Sequence, residues 1–559
     1  MDTFKILYTA LGGLGIFFFG MKMMSDSLQQ QAGEVITKVI NSLTTNRFLA
    51  VVVGIIVTMI VQSSSVTTVM VVGFVNAGLM QLTQAIGVIF GSNIGTTITG
   101  WIISIKVGKY GLLFIALGIF PILFSKSKKW QNIGKIVFGV GMIFFGLELM
   151  SGAFKPLRGN KEFLNFLSYF SEENYKSYLA SILVGCLLTV IIQSSSAMLG
   201  ITIALAISGV IGFNTAVALV LGENIGTTIT ALLAAVGTTT NAKRAARAHA
   251  MFNLFGVGVV FAFLPYYLDF IEWLIPGQAD VILEDGSKPN IATHIAASHT
   301  IFNITATILF LPFLGHLARL VTKITPEKEG EVEEVEKSRL ILVGEEQDFM
   351  PATTLVQAEH ELKKMKGIVD SLFVTAKKKI NEDSQGDIEI ASKAEKQTDY
   401  MQKEVTVFLC KVMEKPMSEK QSKKAQSIVK VVDELESIAD YLEKVVQYKI
   451  RLQGKDMIAE SLTEYYRFMD DIYRFYDACT RFILSNEPLN FKVIHNKSEE
   501  LRLWANDIKD KHIHRVSQGD YDALSILTFS DLVVALRKIR AHSMNIAQAY
   551  SMTLTLDDE

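Results

Sequence analysis

The sequence predicts an all-α polytopic membrane protein with an internal duplication and re-entrant helical hairpins, followed by a soluble helical-bundle domain. Three observations carry this: apolar runs of bilayer length, two polar blocks repeated at one fixed offset, and a change to charged, helically periodic sequence near residue 325. A chain of 559 residues exceeds one compact core, so two or more folding units are expected. The net charge of −2 hides an uneven split. Residues 1–324 carry 20 Lys or Arg and 13 Asp or Glu, a surplus of +7, whereas 325–559 carry 34 and 43, a deficit of −9.

The apolar runs come first. Residues 4–24, 48–75, 82–105, 110–124, 133–150, 178–213, 216–236, 248–275 and 295–321 reach or approach the roughly 20 residues that span a bilayer as a helix. The first run has no small-residue cleavage site and carries Lys22 near its end, so it reads as a retained helix and not a signal peptide. Cys186, Cys410 and Cys479 are scattered and offer neither metal spacing nor a disulfide framework. Basic residues gather at 126–129, 243–247 and 319–323. The last group leads into the charged part, which places that part in the cytoplasm.

Within this apolar sequence a polar block, QSSS at 62–65, recurs at 193–196, an offset of 131. Thr58 maps onto Thr189, and GSNIGTTITG (91–100) onto GENIGTTITA (222–231), at the same offset. Upstream, GLGIFFFGM (13–21) resembles GVGMIFFGL (139–147), followed by Met24-Ser25 and Met150-Ser151. The domain reading is a first membrane repeat at 1–151, a linker at 152–176, and a second repeat with the final membrane helices at 177–324. Duplicated membrane units interrupted at matching places point to a transporter site at the bilayer midplane. Unpaired backbone groups cost several kcal/mol in hydrocarbon, so irregular chain is tolerated only around a cavity or within protein. A re-entrant hairpin would place each QSSS at its tip. Helix N-termini there suit an anion; C-termini and side-chain oxygens suit Na⁺.

Hydroxyls donate and accept, so a ring of them can serve an oxyanion and a hard cation together. Gln62, Gln193, Asn93 and Asn224 add amides of the same double character. Neither block holds Lys or Arg, so a multiply charged anion needs bound cations beside it. Glu223 stands where the first copy has Ser92, and an ionisable residue at that depth is a functional candidate for Na⁺ or for a proton. Alternative readings stand beside these. Isolated hydroxyls such as Thr202 serve packing or bond the preceding turn. Gly87, Gly91 and Gly95, four apart, also allow close helix contact. Glu223 could be a paired structural carboxylate. HAMFN (249–253) and HTIFN (299–303) could form a gate or a metal site, though interhelical hydrogen bonding is the preferred reading.

The doubled QSSS, each followed by a GxNIGTT block, resembles the type II sodium–phosphate cotransporter family over roughly residues 1–320. The resemblance implies an inverted repeat whose two re-entrant hairpins surround phosphate and its sodium ions. It implies phosphate contacts from Ser63, Ser64, Ser65, Ser194, Ser195 and Ser196. Na⁺ ligation would be shared among Gln62, Thr67, Asn93, Thr96, Gln193, Asn224 and Thr227, with Glu223 added from the reading above. The short linker between the halves looks bacterial.

After Arg319 the chain turns charged, and 325–355 reads as an acidic linker. Segments 356–381, 388–414, 418–453, 458–485, 489–516 and 521–552 show helical periodicity with few Gly or Pro, most simply as two three-helix bundles. This tail, 356–559, resembles the PhoU family through DELESIADYLEKV (433–445) and LRKIRAHSMNIAQAY (536–550). The family's helices carry acidic pairs four apart for a metal cluster. Glu436 and Asp440 keep that pair and Glu395 and Asp399 are a second, so a divalent or transition metal is one expectation. Arg537 and Ala541 in the last helix leave one ligand set missing, and a solvated acidic face is the other expectation.

The function expected is Na⁺-coupled symport of inorganic phosphate across a bacterial plasma membrane, with a cytoplasmic regulatory domain that meets a phosphate-signalling partner or a second copy of the chain. Phosphate export and a membrane-anchored phosphate sensor are the alternatives. No nucleic-acid partner is expected. A serine hydrolase using His249 or His299 lacks a GxSxG elbow and an orienting Asp, and ATP-driven pumping lacks a GxxxxGK[ST] loop.

Overall fold

A computed structural model describes residues 3–41, 46–105, 110–160, 162–163, 165, 169–170, 173–284, 288–327, 340, 350–378, 385–415, 417–452, 458–485, 489–519 and 522–554. Most of the acidic linker, 328–339 and 341–349, lies outside the described residues. Among those described, every regular element is helical. The chain divides into two compact units, Met1–Thr353 and Thr354–Glu559.

The first unit contains α1 (Thr3–Asn41), α2 (Arg47–Val61), α3 (Ser64–Asn76), α4 (Leu82–Thr96), α5 (Ile98–Ser104), α6 (Gly111–Phe124), α7 (Lys128–Phe154), α8 (Tyr175–Ile192), α9 (Ser195–Ile207), α10 (Phe213–Gly226), α11 (Thr228–Ala234), α12 (Thr240–Ala262), α13 (Leu264–Leu274), α14 (Ile291–Phe310) and α15 (Leu314–Ile324). Seven stretches among the described residues are long and apolar enough to cross a membrane, from Phe4–Gln31 to Ile291–Ile324. The run 48–75 is not one of them, because Gln62-Ser63 splits it into α2 and α3 of 15 and 13 residues. Helices of that length are about 23 and 20 Å, short of a hydrocarbon core of about 30 Å. The run 178–213 splits likewise at Gln193-Ser194. Each second arm ends on a left-handed glycine, Gly78 or Gly209 (both φ 74°), which turns the chain back. Runs 248–275 and 295–321, expected as single helices, are each divided beside a proline, Pro265 or Pro312, which cannot continue the hydrogen-bond ladder.

The copies are related by a pseudo-two-fold, and glycine contacts show its direction. A Cβ on Gly13 would lie 2.9 Å from the Gly146 carbonyl, and one on Gly20 2.7 Å from that of Gly139. In the repeat Gly13 matches Gly139 and Gly20 matches Gly146. Position one of each copy thus meets position eight of the other, which is how a two-fold contact behaves. The pairing runs antiparallel, so the axis is perpendicular to α1 and α7 and the copies are inverted. Counted by elements, α7 opens the second copy, so 1–151 holds one copy plus the first helix of the next. Further reciprocity follows. α3 packs on α11 and α9 on α5; α12 packs on α3, α4, α10 and α11, while α14 packs on α9, α10, α4 and α5.

Glycines also bring each hairpin arm against its neighbour. A Cβ on Gly91 would sit 1.9 Å from the Val51 carbonyl, and one on Gly222 1.9 Å from that of Ile182. Gly87 and Gly95 abut Ala50 and Thr58 in the same way, so close helix contact is their role. At the far end of the unit Arg244 donates to the Thr325 carbonyl (3.0 Å) and pairs with Glu327 (3.2 Å), anchoring the chain that leaves α15 to α12.

The second unit contains α16 (Pro351–Lys377), α17 (Gln385–Met413), α18 (Glu419–Arg451), α19 (Ala459–Thr480), α20 (Phe482–Ser485), α21 (Phe491–Val516) and α22 (Ala523–Leu554). The six long helices fall where the periodicity predicts them. Ser418 opens α18 with a capping box, its Oγ accepting from Gln421 N and Gln421 Oε1 accepting from Ser418 N. Ile428, Val431, Val432, Leu435, Ile438, Leu442 and Val445 bury one stripe of that helix. α17 packs on α18, while α19, α21 and α22 pack together, and α18 with α22 forms the seam between these groups.

Overpacking by one methyl costs about 1–3 kcal/mol where the neighbour is backbone. Gly91→Ala and Gly222→Ala should therefore lower the thermal midpoint of the detergent-solubilised protein by several degrees. Gly12→Ala, with open space around it, should leave it unchanged.

Candidate functional site

Each broken helix stops in the same way. Gln62 (φ 57°, ψ 23°) and Gln193 (φ 55°, ψ 23°) close α2 and α8 in the left-handed region, their N–H groups bonding Thr58 and Thr189 carbonyls at 2.7 and 2.8 Å. Among the described residues no other non-glycine has positive φ. That conformation costs of order 1–3 kcal/mol, and glycine would adopt it freely. Both copies keep an amide side chain instead.

The next residue caps the second arm. Ser63 Oγ accepts from Val66 N at 3.2 Å, and Ser194 Oγ from Ala197 N at 3.3 Å. α3 and α9 therefore begin at the tips, with first-turn N–H groups of Ser64, Ser65, Ser195 and Ser196 that no intrahelical carbonyl can satisfy. On the acceptor side the last carbonyl of α2, Val61, takes hydrogen bonds from Ser25 Oγ (2.7 Å) and Gln29 Nε2 (3.4 Å) on α1. An anion and a cation can thus be offered opposite ends of helices within one turn of chain.

The two tips differ in state. Gln62 is buried, with Oε1 accepting from Thr99 Oγ1 (3.3 Å) and Nε2 donating to the Met59 carbonyl. Thr58 Oγ1 donates to Thr67 Oγ1 (3.0 Å), which donates to the Ser63 carbonyl (3.1 Å). Ser64 is buried; Ser63 and Ser65 are partly exposed. In the second copy Met198 replaces Thr67, and Thr189 bonds Gly185 of its own helix (2.7 Å). Gln193 is exposed, Ser194 partly so, while Ser195 and Ser196 are buried.

Contacts across the copies bring the tips into one neighbourhood. A Cβ on Gly100, next to the Thr99 that holds Gln62, would lie 3.3 Å from Leu199 Cδ2 and 3.4 Å from Ala296 Cβ. Leu199 is one helical turn from Ser195. Trp101 Nε1 adds a bond to Thr300 Oγ1 at 2.8 Å, so α5, α9 and α14 converge there.

The GxNIGTT blocks line up behind the tips on α4 and α10. Asn93 Nδ2 donates to Asn253 Oδ1 and Asn93 Oδ1 accepts from His249 Nε2, both at 3.2 Å. Asn224 Oδ1 accepts from Asn303 Nδ2 at 3.4 Å. Thr96 Oγ1 bonds the Ser92 carbonyl (3.2 Å) and Thr227 is buried. Interhelical hydrogen bonding, the preferred reading of HAMFN and HTIFN, describes both. Glu223 is 1% exposed, and neither carboxylate oxygen has a partner. Its counterpart Ser92 is 0% exposed with an unpartnered Oγ. Among the described residues Glu223 has no ion-pair partner, and an ionised carboxylate there requires a cation.

The residues 16–152 and 159–268 match the Na⁺/Pi-cotransporter family model. The "Uncharacterized protein YqeW" of Bacillus subtilis (strain 168) is 34% identical over 330 residues, covering 58% of this chain and 99% of that protein. The chain belongs to the Na⁺/Pi-cotransporter family. Another relative, the "Putative inorganic phosphate export protein YjbB" of Escherichia coli (strain K12), is 23% identical over 526 residues, 92% of this chain and 91% of its own. The "Sodium-dependent phosphate transport protein 2A" of Rattus norvegicus is 38% identical over 97 residues, 17% of this chain and 15% of that protein. No solved structure matches significantly.

Several residues that hold the first tip in this Na⁺/Pi-cotransporter family member are not singled out from the sequence. Thr99 lies within the repeated block 91–100, whereas Ser25 and Gln29 look like an ordinary helix hydroxyl and amide in sequence. The Met-Ser pair repeated at 24–25 and 150–151 was the available signal for Ser25.

The acidic set of the second unit does gather, on α17 and α18. Burial first, then the Glu443, Asp399, Asp440 and Glu436 carboxylates, push the Glu395 carboxyl above its ordinary range. Burial also raises Glu436, opposed by a Ser437 hydrogen bond and aided by Asp440, Asp399 and Asp433. Asp399 and Asp440 are tied to Lys403 (2.7 Å) and Lys444 (2.6 Å), and among the described residues no three His, Cys, Asp or Glu side chains are arranged to hold a metal ion.

Because folding raises the proton affinity of Glu395, its favourable contribution is complete below its ordinary value of 4.5 and is lost as pH rises through the folded value. Glu395→Gln should therefore raise the thermal midpoint of the second unit at about pH 7.5 and leave it unchanged near pH 4. Differential scanning calorimetry of the full chain reads both.

Proposed function

We propose that this family member moves inorganic phosphate with Na⁺ across a bacterial plasma membrane by alternating access. The observation that carries the reading is the pair of matched helix breaks, each presenting a serine-capped helix N-terminus beside a left-handed glutamine. Ser63, Ser64, Ser65, Ser194, Ser195 and Ser196 would hold phosphate through hydroxyls and first-turn N–H groups. No Lys or Arg lies in either block, so the anion's charge is met by Na⁺ at Gln62, Thr67, Asn93, Thr96, Gln193, Asn224 and Thr227. Glu223 supplies the one fixed negative charge for such a cation. The breaks would lie at the midplane as re-entrant tips, since α2, α3 and α9 are too short to cross alone.

The basic residues at 243–247 and 319–323 favour a cytoplasmic second unit. Its six-helix pattern and the 433–445 and 536–550 stretches support a PhoU-like regulatory role. Export is the second reading, favoured by the name of the Escherichia coli relative, which matches through the tail as well. Direction follows from gradients and coupling, so the same site serves either.

Phosphate flux into proteoliposomes should require Na⁺ over K⁺. Losing a hydrogen bond to a charged ligand costs about 1.5–3 kcal/mol, so Ser64→Ala and Ser195→Ala should each weaken phosphate affinity roughly 10- to 100-fold. Glu223→Gln should reduce Na⁺ affinity without loss of folded protein. Flux indifferent to Na⁺, driven equally by K⁺, contradicts the coupling and leaves the export reading, whereas phosphate binding with no flux leaves the sensor reading. A chain ending near residue 325 should still transport.

A further inference from the structure

His249 and Asn253 of α12 recur as His299 and Asn303 of α14, and these helices hold reciprocal places about the pseudo-two-fold. All four side chains are at most 2% exposed. Their hydrogen bonds nevertheless differ. In the first copy His249 Nε2 donates to Asn93 Oδ1, Asn93 Nδ2 to Asn253 Oδ1, and Asn253 Nδ2 to the His249 carbonyl, each at 3.2 Å. An amide oxygen only accepts, so His249 carries its proton on Nε2. The orientation of the Asn93 amide is thereby fixed from both ends, while His249 Nδ1 has no partner among the described residues.

In the second copy Asn224 Nδ2 turns back to the Val220 carbonyl at 2.8 Å. Asn303 Nδ2 divides between the His299 carbonyl (2.9 Å) and Asn224 Oδ1 (3.4 Å). Among the described residues Asn303 Oδ1 is left buried without a partner, whereas its counterpart Asn253 Oδ1 accepts from Asn93; Nδ1 is unpartnered in both His249 and His299. The tips repeat the contrast: Gln62 is buried and bonded to Thr99, and Gln193 is exposed. Two equivalent clusters in unlike states within one chain are what an inverted repeat shows when its halves take turns.

We propose that His249–Asn253 and His299–Asn303 are alternating clamps. Each fixes the amide of Asn93 or Asn224 while its own copy is closed, and the two exchange states as the site opens to the other side. The proposal rests on the reading of Asn93 and Asn224 as cation ligands. The four residues of α12 and α14 act through those amides and are positioning residues.

The test is inorganic phosphate flux against Na⁺ concentration with the full chain in proteoliposomes. His249→Leu removes the donor, whereas His249→Gln keeps an N–H near the Nε2 position. Loss of one buried hydrogen bond shifts a two-state population about fivefold to tenfold. His249→Leu and His299→Leu should thus move the half-saturating Na⁺ concentration by about that factor in opposite senses. Maximal flux should change less, and the Gln variants should return near the native value. Shifts of the same sense, or Gln variants as impaired as Leu variants, overturn the clamps. Asn253→Ser and Asn303→Ser should show the same opposed pattern and serve if a Leu variant does not fold. Asn93→Ala with unchanged Na⁺ dependence would overturn the cation reading itself. Loss of Na⁺ dependence in Asn93→Ala, with both Leu variants native-like, overturns only the clamps.

Discussion

A helix broken within apolar surroundings must find partners for every backbone group it frees, and the membrane unit is organised around two such breaks. At Gln62-Ser63 and Gln193-Ser194 the chain ends one helix and begins another with a single residue in the left-handed region. Within hydrocarbon the freed carbonyls and N–H groups would cost several kcal/mol apiece. The protein meets some of them itself. Ser63 and Ser194 cap the second arms, and Ser25 with Gln29 covers Val61. The remaining first-turn donors are what a small anion would complete.

In the proposed account the duplication supplies two half-sites where one could not enclose a ligand. Close packing at Gly54, Gly91, Gly185 and Gly222 sets each first arm against α4 or α10, so tip and GxNIGTT block are fixed relative to each other. The crossing of α1 and α7 through Gly13, Gly20, Gly139 and Gly146 sets one copy upside down against the other. Inversion puts equal chemistry toward both sides of a bilayer. The copies are nonetheless not equal here, since Thr67 corresponds to Met198 in the repeat and Ser92 to Glu223. Glu223, buried without a partner among the described residues, gives one half an ionisable group that the other lacks.

Much of this was legible beforehand. The fixed offset of 131 identified the repeat, and polar residues repeated within apolar runs marked both breaks, because a backbone interruption gives a whole polar block a role there. The six helices of the tail followed from periodicity, their buried stripes being long and free of Gly and Pro. Division of α12 from α13 and of α14 from α15 was not read, although Pro265 and Pro312 signalled it; hydrophobicity alone does not register a lost N–H donor. The unlike states of Gln62 and Gln193 could not be read at all. Identical motifs encode identical chemistry, and only packing by Thr99 and its surroundings separates their exposures. The acidic set of α17 and α18 was found, yet its lysine partners Lys403 and Lys444, four residues onward, turn two of its members toward ion pairs.

The central claim is that both tips form one site. Equilibrium phosphate binding in Na⁺, counted per chain on the native protein and on variants altered at one tip, addresses it directly. A shared site predicts a single phosphate per chain, whose binding is lost or weakened by change at either tip. Two phosphates per chain, each abolished by change at its own tip alone, would contradict it.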